Sequence, residues 1–295
     1  MTKPSKRWRA AGLVLFALAA GGGASCGGTD ASPRSPTSGA DVDIPGVDTH
    51  DFTPRERREF SNYVRELPAP CSAVAVPLGQ CVLEKRPCAA CAPASVAIAK
   101  AVREGMTREQ VQSIYKARFD PASARAIPLE GSPSRGADDA PVVVVEFADF
   151  ECPFCQKIAP VLDELWETRK DKVRFVYKFL PLAMHAHGEP AARAAIAAQM
   201  QGKFWEMHHK LFANGQHLEE NDLTGYARAI GLDVDRFRAD MAGAQATARI
   251  EADRKLSETL GVKGTPTLFI DGREYDTKAD IGEWVDGEIA AVAGR

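Results

Sequence analysis

Cys152-Pro153-Phe154-Cys155 sets two thiols two residues apart, after the apolar run Val142 to Phe147 and at the head of an amphipathic stretch. A strand that runs into a helix puts such a pair at the helix N-terminus. There the helix dipole and unpaired amide donors favour a thiolate on the first cysteine. Two intervening residues let the sulfurs meet across one turn, so the pair can open and close a disulfide, with Cys152 as the attacking or attacked sulfur and Cys155 deeper. Glu146 stands inside the same apolar run, six residues before Cys152. A buried acid is costly there unless it is protonated or partnered, which makes Glu146 a proton-exchange partner for Cys155. The competing readings of the cysteine pair are a structural disulfide and half of a zinc site.

The elements that must hold these groups read in a regular order. A strand over 142–147 is followed by a helix from about 153 to 170 and a strand over 173–179. A long helical insertion follows. It begins with the alanine-rich run Glu189 to Phe212; Asn221 then caps a run closed by Gly231, Asp233 caps another closed by Gly243, and a third ends at Gly261. Strand 267–270, a turn at Asp271-Gly272, a short strand over 273–275 and a helix from about Ala279 close the chain.

From about Pro141 to about Ala290 the chain resembles the DsbA-like branch of the thioredoxin superfamily. Four ordered landmarks carry the resemblance: the strand Val142-Val143-Val144-Val145-Glu146-Phe147, the pair Cys152/Cys155, Gly202-Lys203-Phe204-Trp205-Glu206-Met207-His208, and Gly261-Val262-Lys263-Gly264-Thr265-Pro266-Thr267-Leu268-Phe269-Ile270. It implies an α/β thioredoxin fold with an inserted helical subdomain, here preceded by a small all-α domain, and thiol:disulfide oxidoreductase activity. By the resemblance Pro266 is a cis-proline facing the active cysteines, Thr265 before it contacts a bound polypeptide, and Glu146 is the buried acid. Pro153 and Phe154 belong to the substrate-binding surface. The best-known oxidases of this branch carry histidine where Phe154 stands, which leaves the direction of electron flow open.

The length of 295 residues suits two small domains plus tails, and a net charge of -3 without a long basic run beyond the first ten residues speaks against nucleic-acid binding. Lys3, Lys6, Arg7 and Arg9 precede the apolar stretch Ala10 to Ala20. That stretch is shorter than the ~20 residues of a membrane span and reads as a secretory signal. Gly23-Ala24-Ser25-Cys26 resembles a bacterial lipoprotein processing site, with Gly23 in place of the usual leucine. Residues 1–25 are therefore expected to be a lipoprotein-type signal, Cys26 the lipidated residue, and 26–50, rich in Ser, Pro, Gly, Thr and Asp, a disordered tether. Setting Cys26 aside leaves six of the seven cysteines, an even number that suits an exported chain in an oxidising compartment.

Residues 51–122 read as a small all-helical domain. Thr53 with Glu56, and Thr107 with Gln110, make capping boxes. Phe60, Tyr63, Val64 and Leu67 mark a first helix, Val96, Ala99 and Val102 a second, and Val111, Ile114, Tyr115 and Phe119 a third; Cys71 and Cys81 lie in a loop between the first two. Cys88-Ala89-Ala90-Cys91 repeats the redox spacing, and with the residues after it this region, about 85–122, weakly resembles the small helical domain of the CcmH type, which serves cytochrome c maturation. Three roles stay open for Cys71, Cys81, Cys88 and Cys91: structural disulfides in any of three pairings, a redox pair, or a zinc site. Residues 123–137 read as a polar linker and 138–295 as the catalytic domain. His185, His187, His208 and His209 form no recognisable metal motif, and Trp205 with Phe204 and Leu211 suits packing of the insertion. No metal and no cofactor is called for. The expected partners are unfolded or cysteine-containing exported polypeptides, a membrane redox partner (a quinone-linked oxidase or a reductant carrier), and a membrane reached through the lipid anchor on the periplasmic side of the envelope.

Overall fold

The computed structural model describes residues 41–276 and 279–293. The expected signal segment, Cys26 and the first part of the tether lie outside the described residues. Helix α1 (Pro54–Glu66) begins on a closed capping box: the Thr53 side chain accepts from the Glu56 amide, and the Glu56 carboxylate accepts from the Thr53 amide at 2.7 Å. Helix α4 (Arg108–Phe119) begins in the same way on Thr107 and Gln110. Between them lie α2 (Leu78–Leu83), where the sequence suggested only a loop, and α3 (Cys91–Arg103). Helix α3 buries Ala99 and Val102 as expected, together with Ala94 and Ile98, whereas Val96 faces out at 49% exposure. Disulfides Cys71–Cys88 and Cys81–Cys91 fasten the segment around α2 to the head of α3.

Residues 41–50, expected to belong to the disordered tether, are instead packed on the helical region. Ile44 is buried in the helical core, the Val42 amide donates to Ser61 Oγ at 2.9 Å, and Arg57 donates to the Thr49 carbonyl at 2.8 Å. Val42, Ile44 and Val47 are too sparse to show a period, yet each finds apolar neighbours. The linker needs a similar correction. Lys178 donates to the Pro128 carbonyl at 2.6 Å and the Arg125 amide to the Gly272 carbonyl at 2.8 Å, while Ser134–Arg135 form a short edge strand, β1.

The sheet has five strands in the order β1-β3-β2-β4-β5, with β2 (Val142–Ala148) parallel to β3 (Val173–Phe179) and every other neighbouring pair antiparallel. The last two strands are β4 (Thr267–Ile270) and β5 (Arg273–Glu274), joined by a tight turn in which Asp271 and Gly272 both have positive φ. Alternation along β2 sends Val142 and Val144 toward α5 (Pro153–Arg169), while Val145 and Phe147 pack on the opposite face beside Leu260. Glu146 falls on the α5 side, in register with Tyr177 of β3 and Leu268 of β4. The order of these elements is that of the expected thioredoxin fold.

The insertion comprises α6 (Gly188–Met200), α7 (Phe204–Ala213), α8 (Glu220–Ala229), α9 (Val234–Ala242) and α10 (Ala244–Leu260). The alanine-rich run breaks at Gly202, whose φ of +75° favours glycine, and α8 is capped by Glu219 with Asp222 rather than by Asn221. Helix α11 (Ile281–Ala293) closes the chain. It also meets the helical region: Lys100 pairs with Glu283, and the Arg118 guanidinium lies 4.9 Å from the Trp284 ring.

Candidate active site

Cys152 is the N-cap of α5, and Pro153 fills the first helical position, where a missing N–H leaves no bond unmade. The loop before it is held on several sides. The Cys152 amide donates to the Asp149 carbonyl at 3.1 Å and the Gln156 side-chain amide to the Phe150 carbonyl at 3.1 Å. The fully buried Asp149 carboxylate accepts from the Glu151 and Leu182 amides and pairs with His185 Nδ1 at 2.7 Å. Glu151 pairs with His187, which reaches Glu219 on the other side at 3.1 Å; the hydrogen bond to Glu151 is the chief cause of a raised His187 pKa.

Both thiols are free and buried. The Cys152 thiol donates to the Thr265 carbonyl at 3.3 Å, and the Thr265–Pro266 peptide bond is cis. Phe154 stands 65% exposed beside the pair, and Met184, in the loop held by His185, is 82% exposed. Burial, reinforced by the charge of Glu146, pushes the Cys155 thiol far above its ordinary pKa. Burial likewise raises Glu146 to about 8, with Arg135 pulling it down and Asp163 adding a smaller push. Burial thus favours the protonated form of both the deep thiol and the acid.

The wall behind Glu146 was not foreseen. Arg135 of β1 lies between two indoles, 4.6 Å from Trp166 and 4.3 Å from Trp205, and pairs with Asp163 at 2.6 Å. Trp205 donates its indole N–H to the Ser134 carbonyl at 3.2 Å, so it fastens β1 as well as packing the insertion. Although burial pushes Asp163 up, hydrogen bonds from His209 and Arg135 hold it down at about 2. The only advance signs were a lone arginine in a polar stretch and a tyrosine in an apolar strand, and neither type at that place is diagnostic.

The remaining candidates are placed as follows. Cys88 and Cys91 are not bonded to each other; each closes on a partner outside the motif, which leaves none of the four cysteines as a free thiolate for zinc. The histidines are dispersed: His185 and His187 brace the loop before Cys152, His208 is buried among aromatic rings, and His209 faces Asp163.

A family model described as thioredoxin matches residues 128–286, more than half of the chain. Among curated proteins, a Na(+)/H(+) antiporter NhaA 1 of Salinispora arenicola is 42% identical over 161 residues, which cover 54% of this chain and 24% of that protein. The chain thus spans about a quarter of the length of that relative. Among solved structures, oxidised BdbD from Bacillus subtilis is 22% identical, covers 57% of this chain and 97% of its own, and superposes with a TM-score of 0.50. A thioredoxin-like oxidoreductase from Silicibacter pomeroyi is 29% identical over 58% of this chain and 94% of its own, with a TM-score of 0.49.

Proposed function

The chain belongs to the thioredoxin family, with a DsbA-like fold, and from that premise we propose that it is a thiol:disulfide oxidoreductase acting through Cys152 and Cys155 on cysteine-containing exported polypeptides. One arrangement carries the reading: two free thiols at the head of α5, with Cys152 against the carbonyl of Thr265 and the cis bond to Pro266 beside it. In the oxidising direction a client thiolate attacks Cys152 of the Cys152–Cys155 disulfide, forming a mixed disulfide, and Cys155 leaves as a thiolate that takes a proton from Glu146. The client's second thiolate then attacks the client sulfur, closing its own disulfide and leaving Cys152 reduced. A membrane redox partner, a quinone-linked oxidase, accepts the electron pair when the enzyme is reoxidised. Thr265, Pro266, Pro153 and the exposed Phe154 form the client surface.

Two disulfides in the same chain support an oxidising compartment and hence this direction. Export through residues 1–25, anchoring by lipid at Cys26 and a periplasmic location are parts of the same proposal. Among the described residues no helix is long and apolar enough to cross a membrane. Phenylalanine at 154 favours the second reading, a reductase fed by a reductant carrier, in which Cys152 attacks a client disulfide and Cys155 resolves the adduct. The test is dithiol oxidation and insulin reduction by the full chain. Cys155→Ala should accumulate reductant-sensitive adducts through Cys152, and Cys152→Ala should form none; adducts of equal yield in Cys152→Ala would reverse the roles.

A further inference from the structure

Four sulfurs converge at the head of α3. Cys71 is bonded to Cys88 and Cys81 to Cys91, and the sulfurs of Cys81, Cys88 and Cys91 all lie within 4.8 Å of one another. Cys88 is therefore a close neighbour of both sulfurs of a disulfide to which it does not belong. The backbone between Cys88 and Cys91 is already folded for a bond of their own: the Cys91 amide donates to the Cys88 carbonyl at 3.1 Å, which closes Cys88-Ala89-Ala90-Cys91 into a turn. A four-residue turn brings its end Cα atoms within about 7 Å, and a disulfide spans about 4.4–6.8 Å between them, so side-chain rotation suffices to join this pair. Helix α3 runs 13 residues from Cys91, and the field at its N-terminus favours a thiolate beside it.

The two bonds differ in access. Cys71 is only partly buried, whereas Cys81, Cys88 and Cys91 are buried, so an incoming thiolate reaches Cys71 first. We propose that the helical region is a second thiol–disulfide exchange site, in which a protein dithiol reduces the outer bond and the inner bond then moves onto the Cys88–Cys91 pair. A thiolate of the incoming dithiol attacks the Cys71 sulfur, forming a mixed disulfide and releasing Cys88 as a thiolate. The second thiolate of the dithiol attacks the sulfur of its own chain in that mixed disulfide, closes a disulfide there, and Cys71 leaves. Cys88 attacks the Cys91 sulfur, the Cys81–Cys91 bond breaks, and Cys81 leaves. One electron pair has passed from the incoming protein to the helical region, the two protons shed by the dithiol end on Cys71 and Cys81, and the remaining disulfide is Cys88–Cys91. The same transfer unfastens α2: Cys81 lies on it and Cys71 in the segment before it, so both covalent ties to α3 are gone. This site works without Cys152 and Cys155 and stands apart from the reading proposed for them.

The test uses the full chain carrying Cys152→Ser/Cys155→Ser, so that the catalytic pair takes no part. One equivalent of a small dithiol reductant is added, exchange is stopped with acid, free thiols are alkylated and the surviving bond is mapped by mass spectrometry. Transfer should leave alkyl groups on Cys71 and Cys81, a Cys88–Cys91 bond, and faster amide hydrogen exchange across α2. Alkyl groups on Cys71 and Cys88 with Cys81–Cys91 retained would overturn the proposal, since the outer bond would then be reduced without transfer. Retention of Cys71–Cys88 with Cys81 and Cys91 alkylated would overturn it as well, because the buried bond would be the point of entry. In Cys71→Ser, made in the same background, Cys88 has no outer partner. There a Cys88–Cys91 bond should form at the expense of Cys81–Cys91, at a rate independent of protein concentration; a rate that grows with concentration would place the exchange between molecules and sink the intramolecular transfer. If Cys71→Ser does not fold, the dithiol measurement decides alone.

Discussion

Two segments of this chain carry cysteines at the same spacing, each at the head of a helix, and the fold uses them differently. Cys91 opens α3 and Cys152 caps α5, so the helix N-terminus is common to both. In the helical region two further cysteines, Cys71 and Cys81, are close enough to take each member of the motif separately. In the sheet region the motif faces the Thr265 carbonyl and a buried acid instead of other sulfurs. On the proposed reading, spacing and helix dipole make a pair competent, and what stands opposite decides whether it turns over. The pair in the helical region is surrounded by sulfur partners, and the pair proposed to be reactive by a carbonyl, a cis-proline loop and a buried acid.

Substitution can break that contrast, and the largest effect belongs to the reactive pair. Cys152→Ala should abolish dithiol turnover while leaving Cys71–Cys88 and Cys81–Cys91 intact on mass mapping. Turnover that persists in this variant and disappears in Cys88→Ser/Cys91→Ser would exchange the roles of the two motifs.

Next in size is the stability carried by the helical disulfides. Bonds closing separations of 17 and 10 residues are each expected to contribute about 2–4 kcal/mol. Cys71→Ser/Cys88→Ser should shift denaturant unfolding by that amount, with specific exchange activity retained in the folded fraction.

A third measurement concerns the acid. The Glu146 pKa is raised in the fold, from an ordinary value near 4.5 to about 8, so the folded state holds a proton that the unfolded chain has released. Stability from this group is fully present below about pH 4.5 and is lost as pH rises toward 8, which amounts to a penalty of about 3 kcal/mol at pH 7. Glu146→Gln should recover up to about that amount at pH 7 and nothing at pH 4, while slowing exchange where Cys155 must lose its proton. Equal stability gains at both pH values would show that the carboxylate is not the source.

The smallest effect is expected where the two regions touch. Lys100 and Glu283 are both partly exposed, so Glu283→Ala should change stability by less than about 1 kcal/mol and leave turnover unchanged. A larger loss would mean that the helical region supports the catalytic sheet more strongly than this pair indicates.

The parts of this architecture legible in the sequence were those written in local chemistry. The capping residues Thr53, Thr107 and Asp233 and the helix-ending Gly261 each act on their own neighbours, and the strands over 142–147 and 173–179 are mostly apolar runs, broken by Glu146 in the first and by Arg174 and Lys178 in the second. What stayed hidden depends on residues far apart. β1 is two polar residues that become a strand only because β3 offers an edge, and α2 is six residues held by bonds from Cys81 and by Leu78 in the core. In the site, the reactive thiols and Glu146 were visible as chemical types inside a pattern. Tyr177, His208 and Asp163 became meaningful only once register and helix packing aimed them at one cavity.

Arg135 lends its guanidinium to the wall behind Glu146 from a stretch that composition presents as a spacer. Anyone transplanting the catalytic half onto another protein therefore has to choose the cut with care. A boundary at residue 138, which composition suggests, would remove Arg135 and leave Asp163 with His209 alone, Trp205 without its carbonyl acceptor and one edge of the sheet bare. A boundary ahead of Arg125, whose backbone pairs with Gly272, keeps the whole stretch with the sheet. The portable unit is thus longer than the part of the chain that reads as thioredoxin, and its first segment serves as a seal on the interior of the site.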